Sequence, residues 1–201
     1  NNKSYKKIKI INKNVFFFCP NSLIYWRIKT FFTKEPQTLK WIDKFENKQN
    51  FVFWDIGSNI GLYSIYNSII HNRIKTISFE PSTSNLRVLS RNISINNLEK
   101  KIQIFPLPLT DKTNRFMIMK EGEFIEGSAL NSFGEKYNFQ GKNFKSKMNY
   151  NTFGTSIQFL LDKKILKVPN YIKIDVDGIE HLILNGFGKY LLDKRIKSFN
   201  I

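Results

Sequence analysis

The chain has 201 residues, 41% of them hydrophobic, and a formal charge of +16. That length can bury a proper core and reads as one domain. No apolar run approaches the ~18 residues of a bilayer span and no leader pattern is visible, which sets membrane-spanning classes aside. The single Cys19 excludes an internal disulfide and fits a reducing compartment, so a cytoplasmic location is expected. The charge invites a nucleic-acid reading. Yet the lysines are scattered, with no Arg-rich helix and no RNA-binding motif, and Lys, Asn, Ile and Phe are abundant together, as an AT-rich coding bias would produce. A solvated basic surface is the expected reading and a nucleic-acid partner is not expected. An anionic glycan, a membrane-bound acceptor met by peripheral contact, or RNA stay open beside it.

Residues 1–50 read as a lead-in: a basic stretch, apolar pieces at Ile8–Ile11 and Val15–Phe18, then one helix over 35–45. In that helix Leu39, Trp41, Ile42 and Phe45 recur at mixed i+3 and i+4 spacing, and Pro36 suits the first turn. From residue 51 to 201 the pattern alternates. A strand at Phe51–Trp54 leads through a glycine turn into a helix over 59–70, and a second strand covers Lys75–Phe79. The next helix starts at Ser82, Thr83 or Ser84, each a competent N-cap, and ends near Asn96–Asn97. A strand at Ile102–Phe105 is stopped by Pro106. Such alternation with short links predicts an α/β fold, a doubly wound and mostly parallel sheet covered on both faces. Arg115–Met119 reads as an extra strand. Residues 121–150, rich in Gly, Asn, Lys and Ser, are expected to be a substrate lid or a disordered insertion. A helix over 156–163 and a strand over 171–176 follow, and Lys197–Asn200 reads as the start of a further strand.

Strand, glycine turn, helix, strand, acid is the layout that holds an adenosine-bearing cofactor across the carboxyl ends of parallel strands. Gly57 and Gly61 let the backbone approach a ligand, and Glu80 can accept hydrogen bonds from both ribose hydroxyls. The turn reads D-I-G-S-N-I-G (Asp55–Gly61), so the G-x-G-x-x-G cradle of a dinucleotide is absent and a nicotinamide oxidoreductase is disfavoured. Asp55 would repel a phosphate and suits an ammonium group. S-adenosylmethionine, an amino acid joined to adenosine, satisfies these observations, with Asp55 and Glu80 expected to face one cavity.

The strand at 171–176 carries the second signal. Lys173, Asp175 and Asp177 alternate with Ile172, Ile174 and Val176, where a central parallel strand should be apolar. Charges there are costly unless they are paired or serve a ligand. An internal Lys173–Asp175 ion pair is the structural alternative. Glu180 and His181 open the next helix. His181 or Asp175 is the candidate general base, with Asp177 or Glu180 orienting the substrate. His71 is expected to be a surface residue. Asp175, Asp177 and Glu180 could form an oxygen cage, but no fixed metal-binding spacing occurs, so no metal is expected.

Four segments together resemble the FkbM family of S-adenosylmethionine-dependent methyltransferases: E-P-Q-T-L-K-W-I (35–42), D-I-G-S-N-I-G-L-Y-S (55–64), F-E-P-S-T-S-N-L (79–86) with N-I-S-I-N-N-L (92–98), and Y-I-K-I-D-V-D-G-I-E-H (171–181). The resemblance implies a cofactor site at Asp55, Gly57, Ser58, Asn59, Gly61, Glu80 and Pro81, with Asp111 near the adenine and the helix at 35–45 beside the pocket. It implies a seven-stranded sheet, so a fragment lacking the C-terminal edge hairpin is expected. It also implies O-methylation of a hydroxyl, on a sugar of a surface glycan or a secondary metabolite. An RNA 2′-O-methyltransferase and a non-catalytic cofactor- or glycan-binding accessory domain are the alternatives.

Overall fold

The computed structural model describes residues 4–129, 131–135, 142–176 and 178–201. Its organising element is β3 (Val52–Ile56), buried at every position, as a strand covered on both faces must be. With β4 (Lys75–Phe79), β5 (Ile102–Phe105), β9 (Tyr171–Ile174) and β10 (Ser198–Asn200) it forms a five-stranded sheet in the order β10-β9-β3-β4-β5. Every pairing in it is parallel. Alternate residues feed two cores. Phe53 and Tyr171 join one with α1 to α4, while Val52, Trp54, Ile56, Ile172 and Ile174 join the other with α5 and α6. The doubly wound sheet expected from the alternation is the observed one.

The first face carries four helices: α1 (Ser22–Lys34), α2 (Pro36–Asp43), α3 (Leu62–Ile70) and α4 (Thr83–Ile95). Pro36 opens α2, where its missing N–H costs nothing, and Ser82 caps α4 by accepting from the Asn85 N–H. Helix α1 was not anticipated. Asn21 caps it through the Ile24 N–H at 2.9 Å, but aromatic residues at Tyr25, Trp26, Phe31 and Phe32 hide its period. Before it, β1 (Tyr5–Ile10) and β2 (Lys13–Phe18) pair as an antiparallel hairpin. Val15, Phe17 and Ile24 lie in the same core as Phe53 and Ile65. His71 is a correction: it is buried, stacked on Phe45, with Nε2 2.8 Å from the Ile42 carbonyl.

The second face carries α5 (Ile157–Asp162) and α6 (Glu180–Gly186). Between β5 and α5 the chain builds a separate antiparallel sheet, β7-β6-β8, from β6 (Arg115–Glu121), β7 (Ser132–Phe133) and β8 (Met148–Gly154). The stretch 121–150 is therefore partly ordered into strands at both ends and at Ser132–Phe133, while 130 and 136–141 of that expectation lie outside the described residues. No helix among the described residues is long and apolar enough to cross a membrane.

Candidate active site

The turn after β3 is held by the neighbouring strand. The N–H groups of Gly57 and Ser58 both donate to the Phe79 carbonyl at 3.0 Å. The chain there is forced into left-handed backbone, with φ +79° at Gly57 and +50° at Asn59. A Cβ at Gly57 would lie 2.0 Å from the Asp175 carbonyl oxygen, so only glycine lets β9 and the turn approach. Beyond it, Gly61 precedes α3 without lining a cavity.

Glu80 closes β4 and is buried. Its Oε2 accepts the Asn59 N–H at 2.7 Å and its Oε1 the Ser82 N–H at 2.9 Å. Burial raises its carboxyl to about 7, against the lowering effect of the Ser82, Asn59 and Asn85 donors. A second buried carboxylate, Glu121 of β6, adds to the rise. Glu121 accepts from Tyr150 Oη at 2.8 Å and Ser84 Oγ at 3.3 Å, and Tyr150 Oη also lies 3.0 Å from the Pro81 carbonyl. The antiparallel sheet is thereby tied to the turn that carries Glu80.

Two adjoining cavities open at the carboxyl ends of β3, β4 and β9. The larger encloses about 860 Å³ including its mouth, with Asn59, Glu80 and Pro81 on one side and Leu107, Phe133 and Ile183 among its apolar walls. The smaller, about 480 Å³, is bounded by Arg27 and Lys34 of α1, Glu35, Tyr63, Ser58 and Lys173. Gly57, Asn59 and Asp175 line both. Asn59 donates through Nδ2 to the Ser128 carbonyl at 2.8 Å, while its buried Oδ1 has no partner among the described residues.

Asp175 stands just past β9, exposed to the cavities, with Oδ2 2.9 Å from Lys173 Nζ. Burial works to raise its carboxyl, but the Lys173 charge and hydrogen bond outweigh that and hold it below the usual range. Lys173 itself is buried at 2% exposure, its Nζ 4.9 Å from the Tyr63 ring centre. Tyr63 Oη donates to Glu35 Oε2 at 2.7 Å. The ion pair and the ligand-facing carboxylate are thus one arrangement, since Asp175 is both paired and in the cavity.

Several expected site residues sit elsewhere. Asp55 does not face a cavity with Glu80. It is buried, its Oδ2 accepts from Ser64 Oγ at 2.6 Å, and its Oδ1 has no partner among the described residues. Strand alternation explains this: Asp55 pairs in register with Lys173 on the α3 side of the sheet, and the chain turns toward the cavity only at Gly57. Burial lifts its carboxyl above the ordinary range despite Lys173 and Ser64. His181 is exposed and lines neither cavity. Glu180 folds back to accept the Gly178 N–H at 3.0 Å and the Val176 N–H at 3.4 Å, a loop-closing role. Asp111 lines a separate depression with Thr113, Ser156 and Asn185, away from the larger cavity because the chain leaves the sheet after Leu109. Asp177 lies outside the described residues. Among the described residues no group of three or more His, Cys, Asp or Glu side chains is placed to hold a metal ion.

Asn85, Glu121, Tyr150, Arg27 and Lys34 went unnoticed in the sequence. The first lies in the quoted F-E-P-S-T-S-N-L segment; Glu121 lies two residues past the strand expected at Arg115–Met119, and α1 and β8, which bring in the others, carry no such signal.

An open parallel sheet with a half-apolar cavity at its strand ends, the glycine turn and the acid hydrogen-bonded together on one side of it, is the arrangement of a nucleotide-cofactor α/β protein. The Methyltransferase FkbM domain matches residues 55–200, and the chain belongs to that family. S-adenosylmethionine is accordingly its cofactor, and the larger cavity fits it: Glu80 for the ribose, apolar walls for the base, and the orphaned Asn59 Oδ1 for a ligand donor. Among solved structures, the chain is similar to the C-terminal domain of precorrin-6Y C5,15-methyltransferase from Rhodobacter capsulatus, 16% identical over 79% of this chain and 58% of that one, TM-score 0.45. It is also similar to precorrin-6y C5,15-methyltransferase from Geobacter metallireducens GS-15, 15% identical over 82% and 56%, TM-score 0.45. The chain spans just over half the length of these two, and likenesses so distant leave the assignment resting on the family match. Curated proteins give no match.

Proposed function

We propose that the protein is an S-adenosylmethionine-dependent O-methyltransferase acting on a hydroxyl, a sugar of a surface glycan or a secondary metabolite. One observation supports this most: Asp175 stands where the two cavities meet, ionised by Lys173 behind it. The larger cavity takes the nucleoside and the smaller, with Arg27, Lys34 and Glu35, takes the acceptor. When bound, S-adenosylmethionine supplies an electrophilic methyl group. Asp175 Oδ1 accepts the hydrogen bond of the acceptor hydroxyl and takes its proton, while Lys173 stays bonded to Oδ2. Holding the acceptor in line supplies most of the acceleration, on the order of 7–11 kcal/mol, and the base adds about 10²–10⁴-fold.

Calorimetric titration with S-adenosylhomocysteine should show tight binding, with none to NADH. With an acceptor in hand, Asp175→Asn should lower kcat about 10²-fold or more and leave cofactor affinity nearly unchanged. His181→Ala should keep wild-type kcat. Loss of turnover in the His181 variant with full turnover in the Asp175 variant would reverse the assignment.

A further inference from the structure

The first 34 residues hold seven lysines and Arg27 and no acid, so half of the formal +16 charge sits in one sixth of the chain. The described part of this stretch, from residue 4, forms the β1–β2 hairpin and α1. Helix α1 buries Ile24, Ile28 and Phe31 and turns Tyr25, Trp26, Lys29 and Phe32 outward, with the three aromatics 45%, 46% and 42% exposed. Lysines lie over this face: Lys6 Nζ is 5.0 Å from the Tyr25 ring centre and Lys34 Nζ 5.9 Å from that of Trp26. Exposed rings of this size interleaved with lysines, rather than arginines, are the composition that seats at a lipid headgroup boundary. A basic stripe alone would be a solvated surface, but three large rings kept in water along one helix face are not explained that way.

We propose that the outer face of α1, with the hairpin lysines beside it, docks the protein onto an anionic bilayer surface. Arg27, and Lys34 at the border of this face, also line both cavities, so docking would bring the acceptor cavity to the membrane plane. The partner is the lipid surface, attracted by the concentrated positive charge and held by the aromatic side chains. Docking does not depend on methyl transfer, so it is testable without cofactor.

Co-sedimentation of the full chain with vesicles of phosphatidylcholine mixed with phosphatidylglycerol, against pure phosphatidylcholine, tests it. Binding to the anionic vesicles should be at least about tenfold tighter and should weaken as salt rises. Trp26 emission should shift to the blue on vesicle addition, a shift lost in Trp26→Ala, because Trp54 is already buried. Lys6→Glu with Lys29→Glu should cut vesicle binding about tenfold or more; Lys29→Glu alone, on the exposed face, is the milder variant if the pair perturbs folding in a thermal melt. Equal binding to both vesicle types, no binding at low salt, or a charge-reversed variant that binds as wild type overturns the proposal. So does tighter capture by polyuridylate than by the anionic vesicles at the same salt, which would make the face an RNA surface.

Discussion

Glu80 concentrates the chemistry of the cofactor cavity in one carboxyl group. Its folded-state value near 7 lies above the ordinary carboxylate value of 4.5. The native state therefore holds a proton that the unfolded chain has released between those pH values, and stability falls as pH rises through that window. The loss amounts to about 3 kcal/mol, and Asp55, also raised, works in the same direction. Thermal melts from pH 5 to 8 should show this decline, reduced in Glu80→Gln. If Glu80 holds the ribose, whose hydroxyls donate to the ionised form, cofactor affinity should move the opposite way, rising with pH up to about 7, with a proton released on binding below that value and none above it; a flat S-adenosylhomocysteine affinity across that range would separate Glu80 from the ribose. Gly57 is the other decisive position. Its alanine variant meets the Asp175 carbonyl at 2.0 Å in left-handed backbone, and should lose about 2–4 kcal/mol in urea unfolding.

The antiparallel sheet gets its place from Tyr150 and Glu121. Glu121 is fully buried, and the Tyr150 phenol, kept protonated by burial and by Glu121, is its closest donor. Tyr150→Phe leaves that carboxylate, among the described residues, with the Ser84 hydroxyl alone and should cost about 1–3 kcal/mol, read as lower protection from hydrogen exchange along β6 and β8. Of this sheet only β6 was visible in the sequence, as the strand at Arg115–Met119. The segment M-N-Y-N-T-F-G does alternate, yet its polar side is asparagine and threonine beside a lysine-rich run, which blurs a period of two. The parallel core was legible because β3, β4 and β5 are short apolar runs bounded by Gly, Glu and Pro. Helix α2 was legible from Pro36 and its apolar spacing. Within the site, the glycine turn and Glu80 could be read from position alone. Asp55 could not, since a motif fixes where a residue lies along a strand, whereas the parity of the pleat decides which face it serves. His181 misled for a related reason: it shares a segment with Asp175, but α6 rotates it outward.

As one molecule the chain joins a conventional open sheet to a cationic N-terminal unit, with α1 common to both. Trp41 Nε1 donates to Ser198 Oγ at 2.9 Å, and Asn170 Oδ1 accepts the Val52 N–H at 2.8 Å, so the ends of the chain brace the same strand set. The sheet order carries a consequence for how the chain is made. β3 lies between β4 and β9, and β9 is synthesised more than a hundred residues after it. Until Tyr171–Ile174 emerges, one hydrogen-bonding edge of β3 has no neighbour and Trp54 lacks Ile172 beside it. Such distant closures are slow, and unpaired apolar edges are sticky. Until β9 has been made, the nascent chain should therefore lean on ribosome-associated chaperones to keep that edge covered.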